Sequence, residues 1–66
     1  MNKRKLRAKC VELGLSAEDV SKAIGMNIST YYRKMQKGTF TVAEVREISK
    51  FLELQHNELM NIFFEN

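Results

Sequence analysis

Residues 16–38 read SAEDVSKAIGMNISTYYRKMQKG, and the glycine at position 25 divides this stretch into two short helical segments. Glycine accepts the positive φ angle that a sharp turn between helices requires. Asn27 is a good N-cap for the second segment, residues 28–37, and Gly38 is well placed to end it. The stretch therefore predicts two helices that cross steeply around a tight turn.

Two capping boxes mark helix starts on either side of this turn. Ser16 with Asp19 is an acidic variant of the capping box, and Thr41 with Glu44 is the full T-x-x-E form. Phe40 precedes the second box and is placed to staple onto the helix that begins there. These signals predict the second and fourth helices of the chain.

A first and a fifth helix complete the pattern. Asn2 can cap a first helix that Gly14 ends, and residues 56–63 have helical spacing without a good capping residue before them. Nothing along the chain alternates like a strand. The expected core residues are Leu6, Cys10, Leu13, Val20, Ala23, Ile24, Tyr31, Met35, Val45, Ile48, Phe51, Leu52, Leu59, Ile62 and Phe63. We therefore expect a compact all-α domain of five helices over residues 1–66.

The size and composition of the chain disfavour several classes of protein. A chain of 66 residues has a small core and no room for an enclosed substrate cavity with supporting residues around it. Cys10 and His56 are the single cysteine and histidine, too few for a disulfide or a zinc site and too far apart in sequence for a supported nucleophile. No apolar run approaches the length of a membrane span, and no signal-peptide core is present. We expect a cytosolic protein that is no enzyme and has no metal or cofactor.

Charge is distributed unevenly along the chain. Residues 1–38 carry nine Lys and Arg against three acids, a net charge of +6, whereas residues 39–66 carry two against five, a net charge of −3. A basic half suggests a polyanionic partner, and it is also compatible with a solvated surface. The N-terminal cations that fit either interpretation are Lys3, Arg4, Lys5, Arg7 and Lys9.

Residues 28–37 have two different sides when they are placed on a helix. Tyr31 and Met35 are four apart and share one side, with Ile28 at its edge. The opposite side carries Ser29, Tyr32, Arg33 and Gln36. This helix has three cations and no carboxylate, whereas an ordinary solvated helix mixes opposite charges at i, i+4. A polar, cationic side of this kind is typical of a helix that lies against phosphates and base edges, and Lys34 and Lys37 are expected to add attraction that does not depend on sequence.

At this point the sequence resembles a known family. The stretch 16–38 looks like the helix-turn-helix of the phage repressor and Cro-like DNA-binding domains, with Tyr31 where that family usually has a buried Ile, Val or Phe. The following FTVAEVREISKFLEL and LMNIFF are similar to the fourth and fifth helices of small repressor domains from phages of Gram-positive bacteria. The resemblance covers nearly the whole chain, and it implies a single five-helix, repressor-like DNA-binding domain with its helix-turn-helix at about 16–37.

The resemblance also implies a function. It predicts a transcriptional regulator in the cytoplasm of a bacterial host cell that binds a pseudo-palindromic double-stranded operator, generally as a homodimer. The positions that match base contacts in the major groove are Ile28, Ser29, Tyr32 and Arg33. The positions that match phosphate contacts are Ser16, Asn27, Gln36, Lys37 and Gly38. Arg33 is the strongest candidate for direct readout, because its fork can bond guanine O6 and N7 together.

Several residues depart from the family pattern. Ala17 stands where a phosphate-binding glutamine is frequent, and Glu53 stands where a C-capping glycine is usual. Ile28 replaces a commoner polar residue, so it either contacts a thymine methyl or turns inward beside Tyr31. Phe64, near the end of the chain, is a candidate apolar anchor for a second subunit.

A second class of function stays open on the sequence. A protein-interaction module, such as an antirepressor or an antitoxin-like adaptor, can keep a helix-turn-helix without reading bases. Such a module would bind DNA without sequence preference or not at all. The cationic helix at residues 28–37 favours the DNA-binding interpretation over this one.

Overall fold

Five α-helices and the short turns between them form the protein, as given by a computed structural model that describes residues 1–65. The helices are α1 (Lys3–Glu12), α2 (Ala17–Ala23), α3 (Ile28–Lys37), α4 (Val42–Phe51) and α5 (His56–Phe63). No strand occurs in this part of the chain. The predicted all-α class with five helices is therefore confirmed.

The predicted capping residues make the hydrogen bonds that start the helices. The Asn2 side chain accepts from the Lys5 N–H at 3.1 Å, and both capping boxes are complete. The unexpected case is α5, where the Glu58 carboxylate accepts from the Gln55 N–H at 3.0 Å. The N-terminus of α5 is thus capped by the carboxylate of Glu58, a residue of the helix itself.

Left-handed backbone conformations follow the ends of the helices. Gly25 and Gly38 both have φ +67°, as their positions predict. Glu53, which follows the C-cap residue of α4, has φ +52° and is the one non-glycine residue with positive φ among residues 1–65. A β-carbon in this conformation is strained by about 1–2 kcal/mol.

We expect Glu53→Gly to stabilise the domain by about 0.5–1 kcal/mol, because it removes this strain while adding some unfolded-state entropy. For a domain of this size the melting temperature should rise by about 2–8 °C. Thermal unfolding followed by circular dichroism measures the effect. Glu53→Ala is the control, because it removes the charge and keeps the β-carbon; an equal gain in that variant would assign the effect to charge.

The core contains one apolar cluster that all five helices contribute to or adjoin. Its buried members are Leu6, Cys10, Val20, Tyr31, Met35, Val45, Ile48, Leu52, Ile62 and Phe63. The prediction of a buried side chain is wrong for three residues. Leu13 and Phe51 are 43% and 38% exposed, and Ala23 is exposed. Leu13 lies beyond the last turn of α1, and Phe51 is about 100° around the helix from Leu52, on the edge of the buried stripe.

On α2, Ser21 faces the core, whereas Ala23, which was expected to do so, is exposed. Ser21 is 1% exposed where α2 packs against α3 and α4. Its hydroxyl donates to the Glu18 carbonyl at 2.9 Å, so the buried oxygen is satisfied. A small side chain at this position lets α2 approach its neighbours closely.

Aromatic rings join α3 to the C-terminal helix. The Phe40 ring lies 5.5 Å from the Tyr31 ring and 6.5 Å from the Phe63 ring, measured between centroids. Phe40 also lines one shallow groove with Val45, the residue onto which it was expected to staple. The rings therefore fix the position of α3 relative to α5.

The N-terminal helix is tied to α5 by polar contacts. The Asn2 N–H donates to the Ile62 carbonyl at 2.6 Å, and the Lys9 Nζ lies 2.7 Å from Glu58 and 2.9 Å from Glu12. Hydrogen bonds to Glu58 and then to Glu12 raise the pKa of Lys9. Lys9 therefore serves the α1–α5 contact and faces away from α3.

Candidate nucleic-acid interface

Helix α3 divides into a buried side and an exposed side, as its spacing predicts. Tyr31 and Met35 are 1% and 6% exposed and belong to the core. The exposed side, which we call the polar face of α3, consists of Ser29, Tyr32, Arg33 and Gln36. This division leaves a hydroxyl, a phenol, a guanidinium and an amide facing outward on one helix.

A tight turn positions α3 against α2. The Met26 N–H donates to the Ser21 carbonyl at 2.8 Å, and the Asn27 Oδ1 accepts from the Ser29 N–H at 2.8 Å. Ile28 follows directly; it is half-buried and is not among the side chains that pack against the core. Ile28 therefore lies at the edge of the polar face, and both interpretations of its side chain, against a thymine methyl or inward beside Tyr31, stay predictions.

Tyr32 is held at a defined angle on the polar face. Its ring meets the edge of the buried Tyr31 ring, with a centroid distance of 6.3 Å and an interplanar angle of 69°. The side chain is 49% exposed, so one end is supported and the other faces outward. A supported aromatic ring of this kind loses little conformational entropy when it contacts a ligand.

Lys34 is not a free cation, contrary to expectation. Its Nζ lies 2.6 Å from the Glu44 carboxylate, and both side chains are about one fifth exposed. The same carboxylate accepts from the Thr41 N–H at 2.8 Å. From the sequence, Glu44 could be recognised only as a capping residue. Its ion pair with Lys34 depends on how α3 and α4 pack together. Lys34 therefore orients α3 relative to α4 and adds little to the outward charge.

The Lys34–Glu44 pair predicts a pH dependence of stability. Lys34, and then the Thr41 amide, lower the pKa of Glu44 below its ordinary value of 4.5. A carboxylate of this kind contributes stability that is fully present above the unfolded-state pKa and is lost as the pH falls through the folded-state pKa. We expect Glu44→Gln, which keeps a capping side chain, to remove up to about 1 kcal/mol of this acid-sensitive stability.

Urea unfolding between about pH 6 and pH 3 measures that contribution. Glu47→Gln is the matched control, because Glu47 is exposed on the same helix and has no ion pair within residues 1–65. Parallel pH curves for Glu44→Gln and the unchanged protein would contradict the assignment.

Helix α1 contributes two cations beside the polar face. The Lys3 Nζ donates to the Gln36 Oε1 at 2.7 Å, and Arg7, one turn later, lines a cavity together with Tyr32 and Gln36. The N-terminal cations therefore divide: Lys3 and Arg7 lie next to α3, whereas Lys9 pairs with acids on the other side. The i, i+4 spacing of Lys3 and Arg7 was visible in the sequence, but only the packing of α1 shows which side it faces.

The candidate phosphate-contact residues differ in whether their polar groups already make hydrogen bonds within the protein. The Ser16 N–H donates to Asp19 at 2.8 Å, and the Gly38 N–H donates to the Met35 carbonyl at 3.3 Å, so neither amide is free for a phosphate. Gln36 and Asn27 use their side-chain oxygens within the protein. Their NH₂ groups remain as donors.

Charge further separates these candidates. The Ser16 backbone amide, and then its hydroxyl, lower the pKa of Asp19, so this carboxylate is ionised beside Ser16 and would repel a phosphate. Lys37 is exposed, and no carboxylate within residues 1–65 pairs with it. Among the sequence-derived candidates for phosphate contact, Lys37 is therefore the strongest and Ser16 the weakest.

A metal site and a membrane span were also searched for among the described residues. Within residues 1–65 no group of three His, Cys, Asp or Glu side chains is arranged to hold a metal ion. None of the helices in this range is long and apolar enough to cross a membrane.

Comparisons with known proteins add no relative to this picture. No protein-family model matches the chain, and neither the curated proteins nor the solved structures gave a match. Any assignment of function therefore depends on the geometry of α3 and its surroundings and on the resemblance of the sequence.

Proposed function

We propose that this chain is a sequence-specific double-stranded DNA-binding transcriptional regulator of the phage repressor and Cro-like kind. In this proposal α2, the turn at Gly25 and α3 form a helix-turn-helix, and α3 enters the major groove. The observation that carries the proposal is the polar face of α3: it is exposed, it holds no acid, and its guanidinium has no carboxylate partner within residues 1–65.

The polar face supplies the kinds of group that read base edges. Arg33 can donate two hydrogen bonds to guanine, which discriminates by about 1–3 kcal/mol per base pair. Ser29 at the helix start can reach a base or a phosphate, and Tyr32 can bond a phosphate or pack on a thymine methyl. Ile28, at the edge of this face, is available for a thymine methyl.

Cations on both sides of the polar face fit the DNA backbone. Lys3 and Arg7 lie on the α1 side, and Lys37 lies at the end of α3. Each phosphate that a cation neutralises contributes about −0.9 to the slope of log K against log salt. Three such contacts in each subunit predict a slope of about −3 per half-site.

An exposed apolar surface supports the proposed homodimer. Val42 and Phe64 are 68% and 56% exposed, and they line one shallow groove of about 70 Å³ with Met1, Phe40 and Phe63. One helix reads only a few base pairs, so a two-fold dimer that places half-sites about 34 Å apart would make a useful operator. A second copy of this surface is the proposed partner.

Selection of bound sequences from a pool of random duplexes tests the proposal. We expect an enriched pseudo-palindrome whose half-sites are about one DNA turn apart. Binding without any enriched sequence would favour the interaction-module alternative. Size measurement of the complex with and without Val42→Ser then tests the dimer, because this exposed residue can change without disturbing the core.

A further inference from the structure

A cavity of about 280 Å³ lies between α1, the start of α2 and the side of α3. We call it the α1–α3 cavity. Its lining includes the apolar side chains of Cys10, Leu15 and Met35 and the polar side chains of Arg7, Tyr32 and Gln36. It is partly open to solvent, so a ligand can enter without unfolding the domain. The opening distinguishes it from the enclosed cavity that the size of the chain disfavours.

The apolar residues that line the cavity favour a hydrophobic group. Cys10 and Met35 are 7% and 6% exposed and belong to the core, and Leu15 packs against that core. Side chains of this kind offer no strong hydrogen-bond donor to a hydrated anion. They favour an apolar group through burial of its surface. An apolar cavity of roughly 150 Å³ admits benzene, so a single substituted ring fits this volume.

The buried Tyr31 ring also lines the cavity and is 1% exposed. It belongs to the same core cluster as Cys10 and Met35. Burial raises the pKa of Tyr31 to about 12, which keeps it a neutral donor.

The charge at the mouth of the cavity selects the ligand further. Arg7 is exposed, and no carboxylate within residues 1–65 pairs with it. A guanidinium presents parallel donors that match the two oxygens of a carboxylate. An anionic group attached to an apolar ring thus matches both the apolar lining and the Arg7 guanidinium.

We propose that the α1–α3 cavity binds a small aromatic carboxylate, with the ring against Cys10 and Met35 and the carboxylate on Arg7. Such a ligand opposes DNA binding, because Tyr32 and Gln36 belong both to the cavity and to the polar face of α3. This last step rests on the proposed function, whereas binding of the ligand itself does not.

Titration of the ¹⁵N-labelled chain with benzoate, followed by amide chemical shifts, tests the proposal. We expect saturable shifts at Leu15, Tyr32 and Met35 with a dissociation constant of about 1 mM, in the range of a ligand with few atoms. Benzyl alcohol keeps the ring without the charge and should bind about tenfold more weakly. Arg7→Gln should weaken benzoate binding about tenfold, and Arg4→Gln, an exposed arginine outside the cavity, should not.

Each of the other outcomes overturns the proposal. Shifts that are absent, or that are unchanged in Arg7→Gln, exclude a carboxylate on this guanidinium. Equal shifts with inorganic phosphate identify an anion site for the DNA backbone instead. A second measurement, benzoate against the affinity for the selected operator, tests the competition. If the chain binds no DNA, the shift titration still decides whether the cavity takes the carboxylate.

Discussion

Arg33→Ala is expected to weaken binding to the selected operator by about 1–3 kcal/mol, which is about 5- to 150-fold, while affinity for unrelated duplexes falls much less. The guanidinium offers two donors at a fixed separation, and only a guanine in the right position accepts both. The ratio of affinities for the operator and for its single-base variants should therefore fall towards one at a single base pair of each half-site. Affinities measured at one fixed salt concentration, on the operator and on single-base variants of it, give this ratio.

We expect Arg33→Ala to leave the folded structure intact. Arg33 is exposed, and within residues 1–65 it makes no ion pair or side-chain hydrogen bond that stabilises α3. Alanine is also the better helix former. Far-UV circular dichroism and the melting temperature should thus stay close to those of the unchanged protein, which separates a lost contact from lost structure.

Two control variants separate readout from charge. Arg33→Lys keeps the positive charge and loses the fork, so it should lose discrimination while keeping most non-specific affinity. Arg46→Ala removes an equal charge from an exposed position on α4 and should leave the specificity ratio unchanged. If Arg33→Ala bound the operator as tightly as the unchanged protein, direct readout by this residue would be excluded.

Tyr31→Ala is expected to unfold the domain. Tyr31 is 1% exposed, and its ring contacts those of Tyr32 and Phe40. Truncation of a buried aromatic side chain costs about 3–5 kcal/mol, and a domain of this length has a total stability of about 3–10 kcal/mol. The change therefore removes much or all of the stability. Urea unfolding followed by circular dichroism should show a greatly reduced midpoint or no folded baseline.

Tyr31→Phe is the informative partner of that variant. It keeps the buried ring and removes only the phenol oxygen, so its stability near neutral pH should change little. The two proteins should differ in alkali. Burial raises the pKa of Tyr31 from its ordinary 10.0 to about 12, so its contribution is complete below pH 10.0 and is lost as the pH rises towards about 12.

Alkaline unfolding curves should therefore show a steeper loss of stability for the unchanged protein than for Tyr31→Phe. Identical curves would mean that the phenol ionises in the folded protein as easily as in the unfolded one. A folded, cooperative Tyr31→Ala protein would separately contradict the central place of this ring in the core.

Much of the fold was predictable because its signals are local. A capping box such as Thr41 with Glu44 involves residues three apart, and the glycines at positions 25 and 38 act through their own backbone angles. The exception is Glu53, which takes a left-handed conformation without glycine. Tertiary packing of Leu52 and Leu54 on the core places this residue, and nothing in a local pattern reports that strain.

The candidate site was predictable in part for the same reason. The polar face of α3 follows from helical periodicity, so the exposed positions of Tyr32 and Arg33 could be derived from spacing alone. The contacts that other helices make with α3 could not be derived in this way. Lys34 pairs with a residue ten positions away, and Lys3 reaches Gln36 across 33 positions. Contacts over such separations depend on how helices cross, which spacing within one helix does not encode.

The first turn of α4 links two surfaces that have so far been considered separately. Val42 projects from this turn into the groove proposed for a second subunit, and Glu44, two residues later, holds Lys34 of α3. In the proposed dimer, contact of a second subunit with Val42 would therefore also affect the orientation of α3 relative to the DNA. The proposed dimer should then tolerate few inserted base pairs between its half-sites, and removal of the Lys34–Glu44 salt bridge should let it tolerate more.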